Sequence, residues 1–181
     1  MPRQLLRDGR IVADDWQFLA EAEAAGGIVP AAAGAALPTA ANATLPTSSI
    51  IIPFDRWQSE RDRWLEHTGR LGIVLQPVHK VEALAPDLAR FELIAAEFPG
   101  PADGRGYTQG RLLRERYTFS GELRAIGYVR RDQLFFLARC GFNSFQLAEH
   151  ELATATAAFF TFSAEYQPSN DEGLALKLQH R

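Results

Sequence analysis

The chain has 181 residues, a net charge of -3 and 46% hydrophobic residues, a profile typical of one folded domain rather than of a disordered segment. The weak acidic balance gives no electrostatic reason to expect nucleic acid or an anionic membrane as a partner. A single cysteine, Cys140, excludes an internal disulfide and any metal site built from several cysteines. The sequence shows no apolar run of roughly 18 residues and no signal-peptide pattern at Met1-Pro2-Arg3-Gln4, so we expect a cytoplasmic protein.

The first 47 residues are predicted to form a hairpin and then a flexible segment. Leu5 to Val12 places apolar pairs on both sides of Asp8-Gly9. Type I′ turns favour this dipeptide because both of their central residues take a positive φ. Residues 21–47 are rich in alanine, glycine and proline, which is typical of a linker or a mobile loop.

Residues 48–167 alternate short β-rich runs with amphipathic helical runs. Strands are predicted at residues 50–54, 71–76, 91–98, 122–126 and 142–147, with an edge strand at 162–166. Helices are predicted at residues 56–68, 108–117, 130–139 and 149–160, with a helical turn at 81–88. Such alternation favours right-handed βαβ crossovers and a mostly parallel sheet.

The predicted fold class is therefore α/β, with a mostly parallel sheet of five or six strands built from βα units and an N-terminal hairpin. A complete eight-fold barrel needs about 250 residues, so an open sheet or a partial TIM-barrel-like sheet is expected. Residues 168–181 are predicted to be a polar tail.

Loops that follow the strands are the candidate positions for a site, because ligands of parallel α/β sheets bind at the carboxyl ends of strands. Four such loops can be located, at residues 53–55, 76–80, 97–108 and 127–132. The third is the longest, and its candidate ligand-binding residues are Gly104, Arg105, Gly106, Tyr107 and Thr108.

Anion binding is the chemistry that this third loop favours. Gly106 would let the backbone approach a ligand, and a helix beginning near Thr108 would present its partly positive N-terminus. Together with the guanidinium of Arg105, this suits a small oxyanion or a phosphate. A plain turn with a helix cap and a solvated arginine would have the same sequence. The run contains neither a dinucleotide fingerprint nor a P-loop.

The loop after the fourth strand adds charged candidates. Arg130 and Arg131 lie where the next helix is predicted to begin, a position that is unfavourable for a cation and therefore indicates a ligand or a partner. Asp132 suits a helix N-terminus for structural reasons alone. If the chain is an enzyme, Asp103 and Asp132 are the candidates for general acid–base catalysis.

Other catalytic chemistries find little support. Among four histidines only His79 falls in a candidate loop, and as a lone exposed imidazole it is expected to be inert. No histidine has a partner at metal-ligand spacing, and no nucleophile elbow is present. Nicotinamide and flavin fingerprints are also absent from the sequence. The sequence therefore predicts no metal and no cofactor.

Three runs carry a family resemblance: residues 98–116, which include Asp103-Gly104-Arg105-Gly106-Tyr107-Thr108-Gln109, residues 121–127, and residues 131–142. They resemble the bacterial domain of unknown function 934 family, from about residue 48 to residue 167. Members of that family tend to be encoded beside assimilatory sulfite reductase and are often labelled as oxidoreductases of sulfite reduction. The resemblance therefore implies a role in sulfur assimilation, and it places the family motif on residues 103–108. The family usually has an aspartate after Gly127, where this chain has Tyr128, so an activity that needs that aspartate would not carry over.

Three hypotheses follow. The leading one is an accessory protein of sulfite reduction that binds a small oxyanion, or a partner such as sulfite reductase or another sulfur-assimilation protein. Arg105 and the helix amides would hold the anion, with Arg130 or Arg131 converging from the next loop. The second is an oxidoreductase or other α/β enzyme acting on a small anionic substrate. The third is a structural homodimer without a small-molecule site, since a dimer can bury the unpaired edge strands of a partial barrel.

Overall fold

The computed structural model describes residues 3–19 and 49–160. The predicted linker at 21–47, the edge strand at 162–166 and the tail at 168–181 lie outside the described residues. The predicted hairpin is confirmed, and its turn residues Asp8 and Gly9 have φ values of 49° and 73°. Both lie in the left-handed region that a type I′ turn requires.

One mixed sheet contains the strands of the described residues, in the order β2-β1-β8-β7-β6-β5-β4-β3. The strands are β1 Gln4–Arg7, β2 Arg10–Ala13, β3 Gln17–Phe18, β4 Ile50–Pro53, β5 Leu71–Leu75, β6 Leu93–Phe98, β7 Glu122–Gly127 and β8 Ser144–Phe145. Strands β3 to β8 are parallel, and β1 runs antiparallel to both β2 and β8. The sheet curls into a half-barrel.

The mostly parallel α/β fold is confirmed, whereas the expected five or six strands are too few. Within residues 3–19 and 49–160 the sheet has eight strands, because the hairpin joins it beside β8 and Gln17–Phe18 pairs with β4. A two-residue strand has no sequence period to detect. A hairpin, in turn, does not reveal from its own sequence where it will pair.

A helical segment follows each of the parallel strands β4 to β8. The helices are α1 Phe54–Ser59, α2 Arg61–Leu65, α3 Arg105–Glu115, α4 Leu134–Arg139 and α5 Glu149–Ala155, with 3₁₀ segments at Val81–Arg90, Arg131–Gln133 and Thr156–Phe160. The helix predicted at 56–68 is interrupted at Glu60 and ends at Leu65, whose side chain is exposed. No helix among the described residues is long and apolar enough to cross a membrane.

Alternate residues of the strands pack on opposite faces of the sheet. One face packs against the helices and forms the larger core, which includes Ile73 and Ile94 of the strands and Leu113 of α3. The opposite face holds a smaller apolar cluster around Trp16 and Ile126. Strands β4 to β8 are adjacent in the sheet and run parallel. Their carboxyl ends, and the loops that follow them, therefore lie along one edge of the sheet.

A buried ion network joins the N-terminal segment to this sheet. The Arg124 guanidinium on β7 is 1% exposed and lies 3.1 Å from Asp14 and 2.8 Å from Glu122. Arg7 on β1 contacts the other carboxylate oxygen of Glu122, at 3.3 Å. Residues 3–19 are therefore held to the sheet by buried charges as well as by backbone hydrogen bonds.

Candidate functional site

Asp103 and Arg105 form an ion pair with each other at the beginning of α3. This helix begins at Arg105, three residues earlier than predicted, with Gly104 as its N-cap. The Arg105 side chain donates to Asp103 through Nε at 3.0 Å and Nη2 at 2.6 Å. The Arg105 backbone N–H donates to the same carboxylate at 3.1 Å. Asp103 therefore fixes the guanidinium, whose side chain remains 59% exposed.

This pair changes the role expected of Asp103. Hydrogen bonds from the Arg105 side chain lower the pKa of the Asp103 carboxyl group. Asp103 is therefore ionised at neutral pH and has no proton to donate there. Its geometry is that of a residue that positions Arg105, and of the two catalytic roles expected of Asp103 its ionised form fits that of a base and not that of an acid.

Gly106 is required by packing within the chain. A Cβ at this position would lie 2.6 Å from the ring of Phe98, closer than any ordinary contact. The glycine lets α3 approach β6, and the face where a ligand was expected to meet the backbone is occupied by that ring. Gly104 is different, since its Cβ would meet only the Tyr107 ring at 3.9 Å.

Tyr107 lies in the first turn of α3 and packs against β6. Its ring makes an edge contact with Phe98, at 5.2 Å between centroids. Burial raises the pKa of the Tyr107 phenol, and the nearby charges of Cys140 and Asp132 act in the same direction. Asp132 is exposed at the surface, and its charge acts on this phenol from the following loop.

Arg130 is turned towards α5 and does not share the contacts of Arg105. Its guanidinium lies 3.4 Å from Glu151 and 6.0 Å from the centroid of the Tyr128 ring. A hydrogen bond with Tyr128 is the main cause that raises the pKa of Arg130. Arg131 and Thr108 are exposed on the same edge of the sheet. The predicted site residues therefore do not share one set of contacts: Arg105 pairs with Asp103, and Arg130 contacts Glu151 and Tyr128.

The prediction that His79 is a lone, exposed imidazole is wrong. Its side chain is only 10% exposed, and Nε2 lies 3.3 Å from Oδ1 of Asp55. The Gln76 backbone N–H donates to Nδ1 at 3.1 Å, and the ring stacks on Phe54 with centroids 4.4 Å apart. Sequence spacing could not reveal this pair, because Asp55 and His79 follow different strands.

Gln109 joins the His79 loop to α3. Its side-chain amide, on a residue 5% exposed, donates to the backbone oxygens of Gln76 and His79, both at 2.9 Å. The same residue belongs to the sequence run that carries the family resemblance. It links the loops after β5 and β6 into one unit.

Two buried charged residues of the strands were not predicted from the sequence. Glu97 on β6 is 3% exposed, near the carboxyl end of a strand that is otherwise apolar, and Arg124 belongs to the network described above. A charged residue inside an apolar strand is the signal that could have singled them out. Among residues 3–19 and 49–160, no three potential ligand side chains are grouped closely enough to hold a metal ion.

The fold and these loops define an α/β half-barrel protein with a polar edge at the carboxyl ends of its parallel strands. A family model described as a bacterial protein of unknown function (DUF934) matches residues 72–176, which is more than half of the chain. The chain belongs to this family. The match begins within β5 and includes β6 to β8, and with them the Asp103–Arg105 pair, Tyr107 and Gln109. No curated protein sequence matches the chain.

Proposed function

We propose that this protein binds a small oxyanion and serves assimilatory sulfite reduction as an accessory protein. The observation that carries the binding proposal is the exposed guanidinium of Arg105, fixed by Asp103 at the start of α3. The link to sulfite reduction is supported by the resemblance to a family whose members tend to be encoded beside assimilatory sulfite reductase.

The Arg105–Asp103 geometry suits anion binding because it uses only part of the guanidinium. Asp103 accepts from Nε and Nη2, and an arginine has five N–H donors in all. The remaining donors form a planar edge that matches two oxygens of an oxyanion. Since Asp103 already holds the side chain, binding costs less conformational entropy than it would for a free arginine.

The helix amides contribute less than the sequence suggested. The Arg105 N–H is taken by Asp103, and the Tyr107 N–H donates to the Gly104 carbonyl at 3.1 Å. The guanidinium is therefore the main anion ligand, supported by the positive end of an 11-residue helix.

The test is a calorimetric titration of the full chain with sulfite, under anaerobic conditions so that sulfite is not oxidised to sulfate. Sulfite is expected to bind saturably, and Arg105→Ala to abolish the heat of binding. The matched control is Arg111→Ala on the same helix, which removes an exposed arginine paired with Glu115. Binding that survives Arg105→Ala, or that is lost equally in Arg111→Ala, would overturn the proposal.

The accessory role is tested by co-purification with sulfite reductase from the same bacterium. A complex that withstands gel filtration, or a change in the enzyme's sulfite affinity on addition of the chain, supports the role. Sulfite reductase that neither binds the chain nor responds to it would contradict the role, while leaving anion binding intact.

A homodimer is proposed from the outer edge of the sheet. Among the described strands β2 is the outermost on one side, and its residue Ile11 is 42% exposed. Such an edge is a template for pairing with a second chain. Light scattering coupled to gel filtration should give twice the monomer mass for the native chain and a reduced dimer fraction for Ile11→Lys. A monomeric native chain would contradict this.

A further inference from the structure

We propose that Asp55 is a second recognition residue at this edge, where it accepts a hydrogen bond from the O–H of a hydrogen-bearing oxyanion such as hydrogensulfite or hydrogenphosphate. His79 is its positioning residue. The inference rests on the proposed function, because Arg105 supplies the positive charge that holds the anion.

The pair of Asp55 and His79 has the geometry of a fixed acceptor. The Asp55 side chain is 75% exposed, whereas His79 is largely buried, 3.3 Å from Asp55 Oδ1. Stacking on the Phe54 ring holds the imidazole in place. With one oxygen turned to the imidazole, the exposed carboxylate has its other oxygen available to a ligand.

The hydrogen bonds determine which atom of this pair can accept a proton. The Gln76 backbone N–H donates to Nδ1 of His79 at 3.1 Å, so Nδ1 must be unprotonated. The ring proton is therefore on Nε2, facing the Asp55 carboxylate. Protonating Nδ1 would break the bond from Gln76, so the ring atom that faces Asp55, at 3.3 Å, is the protonated Nε2. The acceptor offered to a ligand is Asp55.

An unbroken set of contacts connects this pair to the helix that carries Arg105. Asp55 contacts His79, and the His79 backbone oxygen accepts from Gln109 at 2.9 Å. Gln109 and Arg105 are four residues apart on α3, one turn of about 6 Å on the same side of the helix. Strands β4, β5 and β6 are also adjacent and parallel, so the loops that follow them lie at the same edge of the sheet.

A carboxylate beside an anion site selects for protonation. Two anionic oxygens repel each other, but an acidic O–H can donate a charge-assisted hydrogen bond to a carboxylate. Hydrogenphosphate and hydrogensulfite can offer an O–H near neutral pH, and sulfate carries no proton there. Asp55 is therefore expected to favour phosphate and sulfite over sulfate. This would let the protein distinguish the substrate of sulfite reduction from the more oxidised anion.

A purely structural explanation of Asp55 is available, because it lies in the first turn of α1, where a carboxylate stabilises the helix dipole. Asp62 has the same relation to α2. Asp62→Asn is therefore the matched control for Asp55→Asn, since both remove an exposed carboxylate from the first turn of a short helix.

The experiment measures, at neutral pH, the affinities of the full chain for phosphate and for sulfate and compares their ratio between variants. The native chain and Asp62→Asn are expected to prefer phosphate. Asp55→Asn is expected to lower that preference about tenfold, the effect of one hydrogen bond to a charged group. His79→Gln, which can still donate to Asp55, should keep the preference, and His79→Leu should lose part of it. Thermal melts confirm that each variant is folded.

The outcomes separate the two proposals. If Arg105→Ala abolishes binding but Asp55→Asn leaves the phosphate-to-sulfate ratio unchanged, the oxyanion site stands and the role of Asp55 is overturned. If Asp55→Asn and Asp62→Asn change the ratio equally, Asp55 acts only through overall charge and is again overturned. If the native chain binds neither anion nor sulfite, the proposed function itself falls, and Asp55 with it.

Discussion

Replacing Arg124 with methionine tests the buried network that joins residues 3–19 to the sheet. The variant keeps much of the side-chain volume but removes the cation that Asp14 contacts, and leaves Glu122 with Arg7 alone. The side chains of Asp14 and Glu122 are 2% and 9% exposed. Removing one partner of a buried ion pair costs about 3–5 kcal/mol, because the remaining charge is left uncompensated. That is a large fraction of the about 5–15 kcal/mol that stabilises a typical domain.

The assay is thermal and urea unfolding of the native chain and the variant. For a chain of this length each kcal/mol lowers the Tm by about 2–4 °C, so Arg124→Met should lower it by about 6–20 °C. Arg111→Ala, which breaks an exposed i,i+4 ion pair, should cost less than about 1 kcal/mol. Adding Asp14→Asn to Arg124→Met should recover part of the loss, since the buried charge of Asp14 disappears.

An Arg124→Met variant as stable as Arg111→Ala would show that the buried network contributes no more to stability than an exposed ion pair does. Hydrogen exchange locates the effect. Because β1 pairs with β8 on the side of the sheet next to this network, the amides of Leu6 and Phe145 should lose protection in the variant. Unchanged protection of these amides would show that the network does not attach the N-terminal segment.

Three further outcomes are expected. Gly106→Ala should destabilise the fold by about 1–3 kcal/mol in urea unfolding, because the new Cβ would meet the Phe98 ring at 2.6 Å; a neutral effect would contradict this close packing. Burial raises the pKa of the Cys140 thiol, so alkylation by iodoacetamide at neutral pH should be much slower in the folded chain than in urea, and equal rates would contradict its burial. The hydrogen bond from Arg61 lowers the pKa of Asp87, so this pair stabilises the fold above the usual aspartate pKa of about 4 and loses its effect as the pH falls through the lowered value. The stability difference between the native chain and Arg61→Ala should therefore shrink in acid, and a difference that grows in acid would reverse the assigned sign.

The parallel strands β4 to β8 were predictable because their signals are local. Strands such as β5 and β6 are short apolar runs bounded by breakers, and Asp8-Gly9 specifies its own turn. The full extent of the sheet was not predictable from such signals. The two-residue strand at Gln17–Phe18 owes its existence to backbone pairing with β4, a long-range interaction that leaves no local pattern.

The contacts within the candidate loop were not predictable from the sequence. The rule that loops at the carboxyl ends of parallel strands carry function singled out the loop of Asp103 and Arg105 as a candidate. It could not show that the two side chains pair with each other, or that Gly106 serves packing against Phe98. The Asp55–His79 contact depends on how two loops meet in space, so sequence spacing carried no trace of it.

An anaerobic NMR titration of the ¹⁵N-labelled chain with sulfite tests whether the start of α3 holds a small oxyanion through Arg105. Saturable shifts are expected of the Arg105 Nε–H and of the Gly104 and Gly106 amides, with the Arg111 Nε–H unmoved. Sulfite that leaves the Arg105 signals unchanged, or that shifts Arg105 and Arg111 alike without saturation, would show that Arg105 does not hold the anion.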